Sequence, residues 1–167
     1  VPPADFLPAL RELADEHGIL LCFDEVQCGM GRTGKMFAYE HFGVKPDVIS
    51  LAKGIASGMP LSATLASEEI MSWKPGAHAS TFGGNPISCA AAHATLDLLA
   101  EGLVECARVV GDTMQGMLRD AVGNHPNVGD IRGKGLMIGV ELVLDRASKA
   151  RANDLRNAVV MDCFHRS

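Results

Sequence analysis

An acid and an amine each follow a short apolar run in this sequence. Asp24 comes after the run 19–23, and Lys53 comes after the run 48–52. Runs of about four to six branched apolar residues that end at a breaker are typical of buried strands. Because open α/β sheets place their chemistry just beyond the carboxyl ends of their strands, both side chains are expected at such an edge. There an amine can form a Schiff base with an aldehyde cofactor, and a carboxylate can keep a pyridine nitrogen protonated.

The surrounding pattern predicts the elements that hold these residues. Helical spacing predicts a first helix capped by Asp5 and ended by Gly18, and Asn85 is expected to cap a helix from Pro86 to Leu99. Gly102 then marks a break before an amphipathic helix. The remaining predictions are that helix at 103–122, a short helix at 37–42, and strands at 19–23, 48–52, 61–66, 128–132 and 136–144, the last two joined by 133–135.

Composition excludes several classes of function. The 167 residues are 47% hydrophobic and 21% charged, which is ordinary for a soluble globular protein. The net charge of −5, without a basic cluster, argues against nucleic-acid binding and a polybasic membrane surface. No apolar run approaches the roughly 20 residues of a membrane span, and no leader for export is expected. Five cysteines without CxxC spacing predict reduced thiols in the cytoplasm, and no metal site is predicted.

Several ordered motifs cover almost the whole chain. They are Asp24-Glu25-Val26-Gln27, Gly31-Arg32-Thr33-Gly34, Pro46-Asp47, Ser50-Leu51-Ala52-Lys53-Gly54, Thr81-Phe82-Gly83-Gly84-Asn85-Pro86, Arg132-Gly133-Lys134-Gly135-Leu136 and Gly139-Val140-Glu141-Leu142. Together these motifs resemble the class III aminotransferases, which are pyridoxal-phosphate enzymes of fold type I. The resemblance implies an α/β fold, pyridoxal 5'-phosphate as cofactor, an amino donor and a 2-oxo acid as substrates, and a homodimer with shared sites.

The resemblance also implies a role for each matching residue. Lys53 is the Schiff-base lysine, and Asp24 is the partner of the pyridine nitrogen. Val26 packs against the ring, Gln27 bonds its phenolic oxygen, and Thr81 binds cofactor phosphate across the dimer interface. Arg132 pairs with a substrate carboxylate, which its planar fork suits. Without the motifs these residues are read as a surface lysine, a turn cap, a core valine, a solvated glutamine, a capping threonine and a surface ion pair.

Other interpretations stay open. Glu25 is a weaker candidate than Asp24 for the ring contact, and His78 is more often structural. The spacing Gly29-x-Gly31-x-x-Gly34 formally fits the dinucleotide fingerprint of a nicotinamide-dependent oxidoreductase, but no acid follows a second strand at the required distance. A decarboxylase, racemase or aminomutase on the same scaffold, or an inactive binding module, also remains possible.

The chain is expected to be an internal piece of a longer protein and inactive alone, since it starts at Val1 rather than Met and stops within an apparently helical stretch that has no cap or breaker. Residues 1–110 are expected to form the later half of the large cofactor-binding domain. A linking helix is expected at 111–123, and the small C-terminal domain is expected to start in 124–167.

Overall fold

A computed structural model describes residues 1–166 and shows helices alternating with strands, the predicted α/β arrangement. The main helices are α1 (Phe6–His17), α2 (Pro86–Leu98), α3 (Val104–Val122) and α4 (Asn153–Arg166). The strands are β1 (Cys22–Asp24), β2 (Val48–Leu51), β3 (Ala63–Ala66), β4 (Val128–Lys134) and β5 (Met137–Leu142). Short 3₁₀ turns lie at Ala38–His41 and Lys53–Ala56, and a π turn lies at Leu99–Leu103.

The first sheet places the ends of β1 and β2 side by side. Its order is β1-β2-β3, and β1 runs parallel to β2 with Asp24 opposite Ser50. β3 runs antiparallel to β2. Since parallel neighbours end at the same edge of a sheet, the residues that follow β1 and β2 come together.

Two apolar clusters fasten the helices to this sheet. Ala14 of α1 packs with Leu21 and Val44. Leu51 at the end of β2 packs with Ala92 of α2 and with the buried Ile55 and Ala56 of the 3₁₀ turn that begins at Lys53. Helix α2 therefore supports the carboxyl edge of the sheet, whereas α1 packs near the starts of β1 and β2.

The second sheet is a hairpin of β4 and β5 that packs against α3. Its turn differs from the predicted one at 133–135. Gly133 and Lys134 continue β4 and pair with Ile138 and Met137, so the turn contains only Gly135 and Leu136. Gly135 has a φ of 52°, a left-handed conformation that glycine adopts without steric cost and that a two-residue hairpin turn requires.

Three other predictions also need correction. The first strand begins only at Cys22, because Ile19 directly follows the C-cap of α1 and its N–H bonds the carbonyl of Ala14. Asp5 precedes α1 with helical dihedrals, and its side chain forms no cap bond. The last strand covers Met137–Leu142 rather than 136–144, and beyond it Val143 is buried whereas Leu144 is exposed.

The stretch Pro86–Val122 consists of three helical segments that follow one another with a kink at Gly102. Within residues 1–166 it is the one helix long and apolar enough to cross a membrane, with a mean hydropathy of 1.3 in an 18-residue window. Gly102, at a φ of 134°, divides it, and Glu101 stands beside this break. A charge in mid-span opposes insertion. The contacts of α2 with the Lys53 turn and of α3 with β4 favour packing helices instead.

Candidate active site

Asp24 is the last residue of β1, and its carboxylate is oriented by two neighbours. Oδ1 accepts a hydrogen bond from the backbone N–H of Val26 at 2.9 Å and one from the hydroxyl of Ser50 at 3.4 Å. Ser50 lies directly across on β2. Within residues 1–166, Oδ2 has no hydrogen-bond partner, and Asp24 is exposed. The carboxylate is therefore fixed in direction with one oxygen available to a cationic group.

Lys53 follows β2 after a single residue and opens the turn Lys53–Ala56. Its φ is 45°, a left-handed conformation that is uncommon for any residue other than glycine. Its Nζ donates a hydrogen bond to Oε1 of Gln27, and both side chains are exposed. Strained conformations of this kind concentrate at functional sites.

The predicted residues Asp24, Val26, Gln27 and Lys53 thus meet at one edge of the first sheet. A hydrogen bond links Val26 to Asp24, and another links Gln27 to Lys53. The set offers an amine, a carboxylate with a free oxygen, a side-chain amide and a half-buried apolar surface. This donor set fits a pyridine ring that carries an aldehyde, because the amine can bond the aldehyde carbon and the carboxylate can face the ring nitrogen.

Glu25, next to Asp24, serves the structure of the loop. It is 2% exposed and accepts hydrogen bonds from the backbone N–H groups of Ala38 and Tyr39, each at 3.0 Å. It also accepts the thiol of Cys28 at 3.1 Å. Burial, followed by this bond to Glu25, raises the pKa of Cys28 to about 12, so that thiol stays protonated at neutral pH.

Glu25 and Ser50 are the contributions that sequence reasoning missed. A buried carboxylate that caps backbone groups 13 and 14 residues away has no local sequence signal. Ser50 could have been found, because pairing the two predicted strands in parallel places it opposite Asp24.

The glycines of the loop at 29–34 allow close packing against neighbouring side chains. A Cβ on Gly31 would lie 2.8 Å from the Leu99 side chain, and one on Gly34 would lie 2.8 Å from the Arg108 side chain. The loop also closes on itself through a hydrogen bond from Gly31 N–H to the carbonyl of Met36. A dinucleotide loop opens a helix whose N-terminus faces the phosphates, whereas this loop leads to a four-residue 3₁₀ turn. The packing argues against the nicotinamide interpretation.

Thr81 lies in an exposed loop before α2. Asn85 caps α2 as predicted, since its Oδ1 accepts the N–H of Ser88 at 2.9 Å. Among residues 1–166, neither the bonds that Asp24 accepts nor the bond between Lys53 and Gln27 involves Thr81. Its role in phosphate binding stays a prediction. His78, in the same loop, stacks on Trp73 with ring centroids 6.4 Å apart, as a structural histidine does.

Arg132 lies on β4, and carboxylates of its own hairpin hold it. Its Nη1 donates to Asp130 and to Glu141, each at 2.9 Å. The bond from Arg132 lowers the pKa of Asp130. Arg132 and Asp24 line one cleft of about 540 Å³ with Phe23 and Tyr39. The predicted pairing of Arg132 with a substrate carboxylate stays a prediction, since part of its guanidinium is already engaged.

Comparison with known proteins identifies the family of this chain. The family described as aminotransferase class-III matches residues 1–165. Acetylornithine aminotransferase of Methanopyrus kandleri is 50% identical over 89% of this chain and 38% of its own length. Leucine/methionine racemase of Thermococcus litoralis is 48% identical over 98% of this chain and 38% of its own length. The chain thus spans about two fifths of the length of the curated relatives it matches.

Solved structures agree. A Bacillus anthracis aminotransferase superposes with a TM-score of 0.93 at 43% identity, over 99% of this chain and 39% of that one. An amine transaminase from an uncultivated Pseudomonas species, solved in its PLP-bound form, has a TM-score of 0.83 at 44% identity, over 90% of this chain and 36% of that one. The fold is therefore that of fold type I pyridoxal-phosphate enzymes.

Proposed function

Because this chain belongs to the class III aminotransferase family, we propose that its protein catalyses pyridoxal-phosphate-dependent transamination. Its substrates are an amine or amino acid donor and a 2-oxo acid. The observation that carries the proposal is the placement of Asp24 at the end of β1 and of Lys53 just beyond the end of the adjacent parallel strand β2. The relatives support it, since those named include acetylornithine and putrescine aminotransferases.

Each side chain has a stated task at the site. When bound, pyridoxal phosphate supplies an electron-withdrawing ring that takes up the charge left as a proton leaves the substrate carbon. Lys53 would hold the aldehyde carbon and, after the substrate amine has replaced it there, its free amine would carry that proton as general base and then general acid. Asp24 would face the ring nitrogen with Oδ2 and keep it protonated. Val26 would pack against the ring, Gln27 would bond its phenolic oxygen, and Thr81 would bind the phosphate.

Racemisation is the second candidate, favoured by the 48% identity to leucine/methionine racemase. Both reactions begin with removal of a proton by the lysine, so the residues of this site serve either one. The products differ, because a transaminase consumes the 2-oxo acid whereas a racemase inverts the amino acid without one. Chiral chromatography with and without a 2-oxo acid separates the two reactions.

The assembly, domain and location proposals extend this function. A homodimer with shared sites is supported by the exposed loop that carries Thr81 and Phe82 and by the exposed Ile87 at the start of α2. The division into two domains is supported by the two separate sheets, and the proposed boundary at 110 lies within α3. A cytoplasmic location is supported by the five cysteines, all unpaired.

Substitution of Lys53 tests the central assignment. In the full-length protein, Lys53→Ala should abolish transamination and the yellow colour that borohydride bleaches in the parent protein. Lys45→Ala removes an equally exposed lysine away from the site and should change neither. A bleachable colour on another lysine in Lys53→Ala would contradict the assignment.

Substitution of Asp24 tests the partner of the ring nitrogen. Asp24→Asn should slow the loss of an α-deuterium from labelled substrate by about 100-fold or more, because the charge that forms as the proton leaves is no longer stabilised. Cofactor binding should fall far less. An unchanged rate of deuterium loss would remove Asp24 from its role.

A further inference from the structure

The Lys53 turn begins and ends with a left-handed residue. Lys53 has a φ of 45°, and Ser57, the C-cap of the same turn, has a φ of 47°. Because each conformation is unfavourable for a residue with a Cβ, surrounding contacts must hold both. The buried Ile55 and Ala56 hold the middle of the turn against α2. The end of the turn needs a contact of its own.

A pair of hydroxyls supplies that contact. Oγ of Ser57 lies 2.9 Å from Oγ1 of Thr95 on α2. Thr95 donates its single hydroxyl hydrogen to the carbonyl of Ala91 at 2.8 Å. Thr95 can therefore only accept from Ser57, so Ser57 is the donor. The resulting chain runs from the helix backbone through two hydroxyls to the left-handed end of the turn.

We infer that Ser57 and Thr95 are positioning residues that hold the Lys53 turn in the conformation that captures the cofactor. The inference rests on the proposed function. Neither hydroxyl contacts Lys53; they act on the residue that closes its turn. Backbone bonds inside the turn, from Ile55 N–H to Ala52 and from Ser57 N–H to Gly54, report whether the turn stays closed.

Two substitutions at Thr95 separate the hydroxyl from side-chain volume. Thr95→Val keeps the size and removes both bonds, whereas Thr95→Ser keeps the hydroxyl. In the full-length protein without cofactor, Thr95→Val should speed amide hydrogen exchange of Ile55 and Ser57 by about five-fold. This is the effect of losing one hydrogen bond, the one that Ser57 donates to Thr95. Thr95→Ser should exchange like the parent protein.

Two further variants complete the set. Ser57→Gly removes the hydroxyl while easing the left-handed φ, and it should also speed exchange of Ile55. Thr113→Val on α3 is the matched control, because Thr113 makes the same bond to the carbonyl of Val109 on an exposed face without a second hydroxyl. It should leave exchange in the Lys53 turn unchanged.

Cofactor capture gives the second measurement. The rate at which borohydride fixes pyridoxal phosphate on Lys53, followed by mass spectrometry, should fall about five-fold in Thr95→Val and return in Thr95→Ser. Equal exchange and capture in these two variants would overturn the inference. Absence of capture in the parent protein would instead refute the proposed function, and exchange alone would then decide whether the hydroxyl pair holds the turn.

Discussion

Nζ of Lys53 donates a hydrogen bond to Oε1 of Gln27, which is 26 residues earlier in the chain. The two residues follow neighbouring strands, so the bond spans the edge of the first sheet where Asp24 also lies. Gln27 thereby directs the amine along this edge and limits the directions that the long lysine side chain can take.

Replacement of Gln27 should release the amine. In the cofactor-free protein, Gln27→Leu should raise the rate of Lys53 acylation by acetic anhydride about five-fold, because the bond that holds Nζ is lost. Gln27→Glu retains an acceptor oxygen and should leave Lys53 no more reactive than in the parent protein. Peptide mass spectrometry measures the rate at this lysine. Equal rates in Gln27→Leu and the parent protein would show that the bond does not restrain the amine.

Two glycines on α3 should respond oppositely to alanine. A Cβ on Gly111 would lie 2.0 Å from the carbonyl oxygen of Gly135, so Gly111→Ala must displace the turn of the hairpin. That turn also bonds the glycine-rich loop, through the N–H of Leu136 and the carbonyl of Arg32. A Cβ on Gly116 meets nothing within 4 Å. Gly111→Ala should lower the free energy of unfolding by about 2 kcal/mol or more, whereas Gly116→Ala should raise it by up to about 1 kcal/mol. Urea unfolding measures both, and similar values would contradict the close packing.

The sequence predicted the placement of Asp24 and Lys53 better than the contacts that support them. Asp24 and Lys53 could be placed because a parallel pair of apolar runs leaves the residues after both at one edge. The cap at Asn85 and the helix break at Gly102 could be predicted because both depend only on local sequence. Glu25 could not be assigned its role, since the backbone groups it satisfies come from a turn that only tertiary folding brings near. The hairpin turn was misplaced because Gly133 and Gly135 both suit a turn, and strand pairing, which the sequence does not show, places Gly133 in β4.

Asp47 should make stability depend on pH at the acid end. Its Oδ2 accepts Arg11 Nη1 and the N–H of Leu21, each at 2.7 Å. Chiefly the Arg11 bond, and then the Leu21 bond, lower the pKa of Asp47 below its ordinary 3.8. A carboxyl whose pKa is depressed by folding stabilises the protein above its unfolded pKa, and this contribution is lost as pH falls through the folded value.

Asp47→Asn should therefore destabilise the protein by about 2 kcal/mol at pH 7, and the difference should shrink below about pH 4. Asp162→Asn is the control, because its partner Arg166 is an exposed neighbour on α4. That variant should change stability by less than about 0.5 kcal/mol at either pH. Urea unfolding at pH 7 and pH 3 gives both differences. A constant loss for Asp47→Asn at the two pH values would exclude the carboxylate as the cause.

Thr81 should act on the site of a partner subunit. Within residues 1–166, no hydrogen bond links Thr81 to Asp24, Gln27 or Lys53. Phe82, the next residue, is 77% exposed. In the proposed dimer, a Lys53→Ala subunit still offers Thr81, and a Thr81→Ala subunit still offers Lys53. A hybrid of the two contains one complete site. After subunit exchange of equal amounts, about a quarter of the parent activity should return, since half of the dimers are hybrids with one working site each.

The control for this mixture places both defects in one chain. Lys53→Ala mixed with the double variant Lys53→Ala/Thr81→Ala provides no Lys53, so no arrangement of its subunits completes a site. Native mass spectrometry of isotope-labelled subunits should first establish that hybrids form. If hybrids are present and the Lys53→Ala and Thr81→Ala mixture stays as inactive as the control, Thr81 does not serve the neighbouring site and each chain holds its own phosphate.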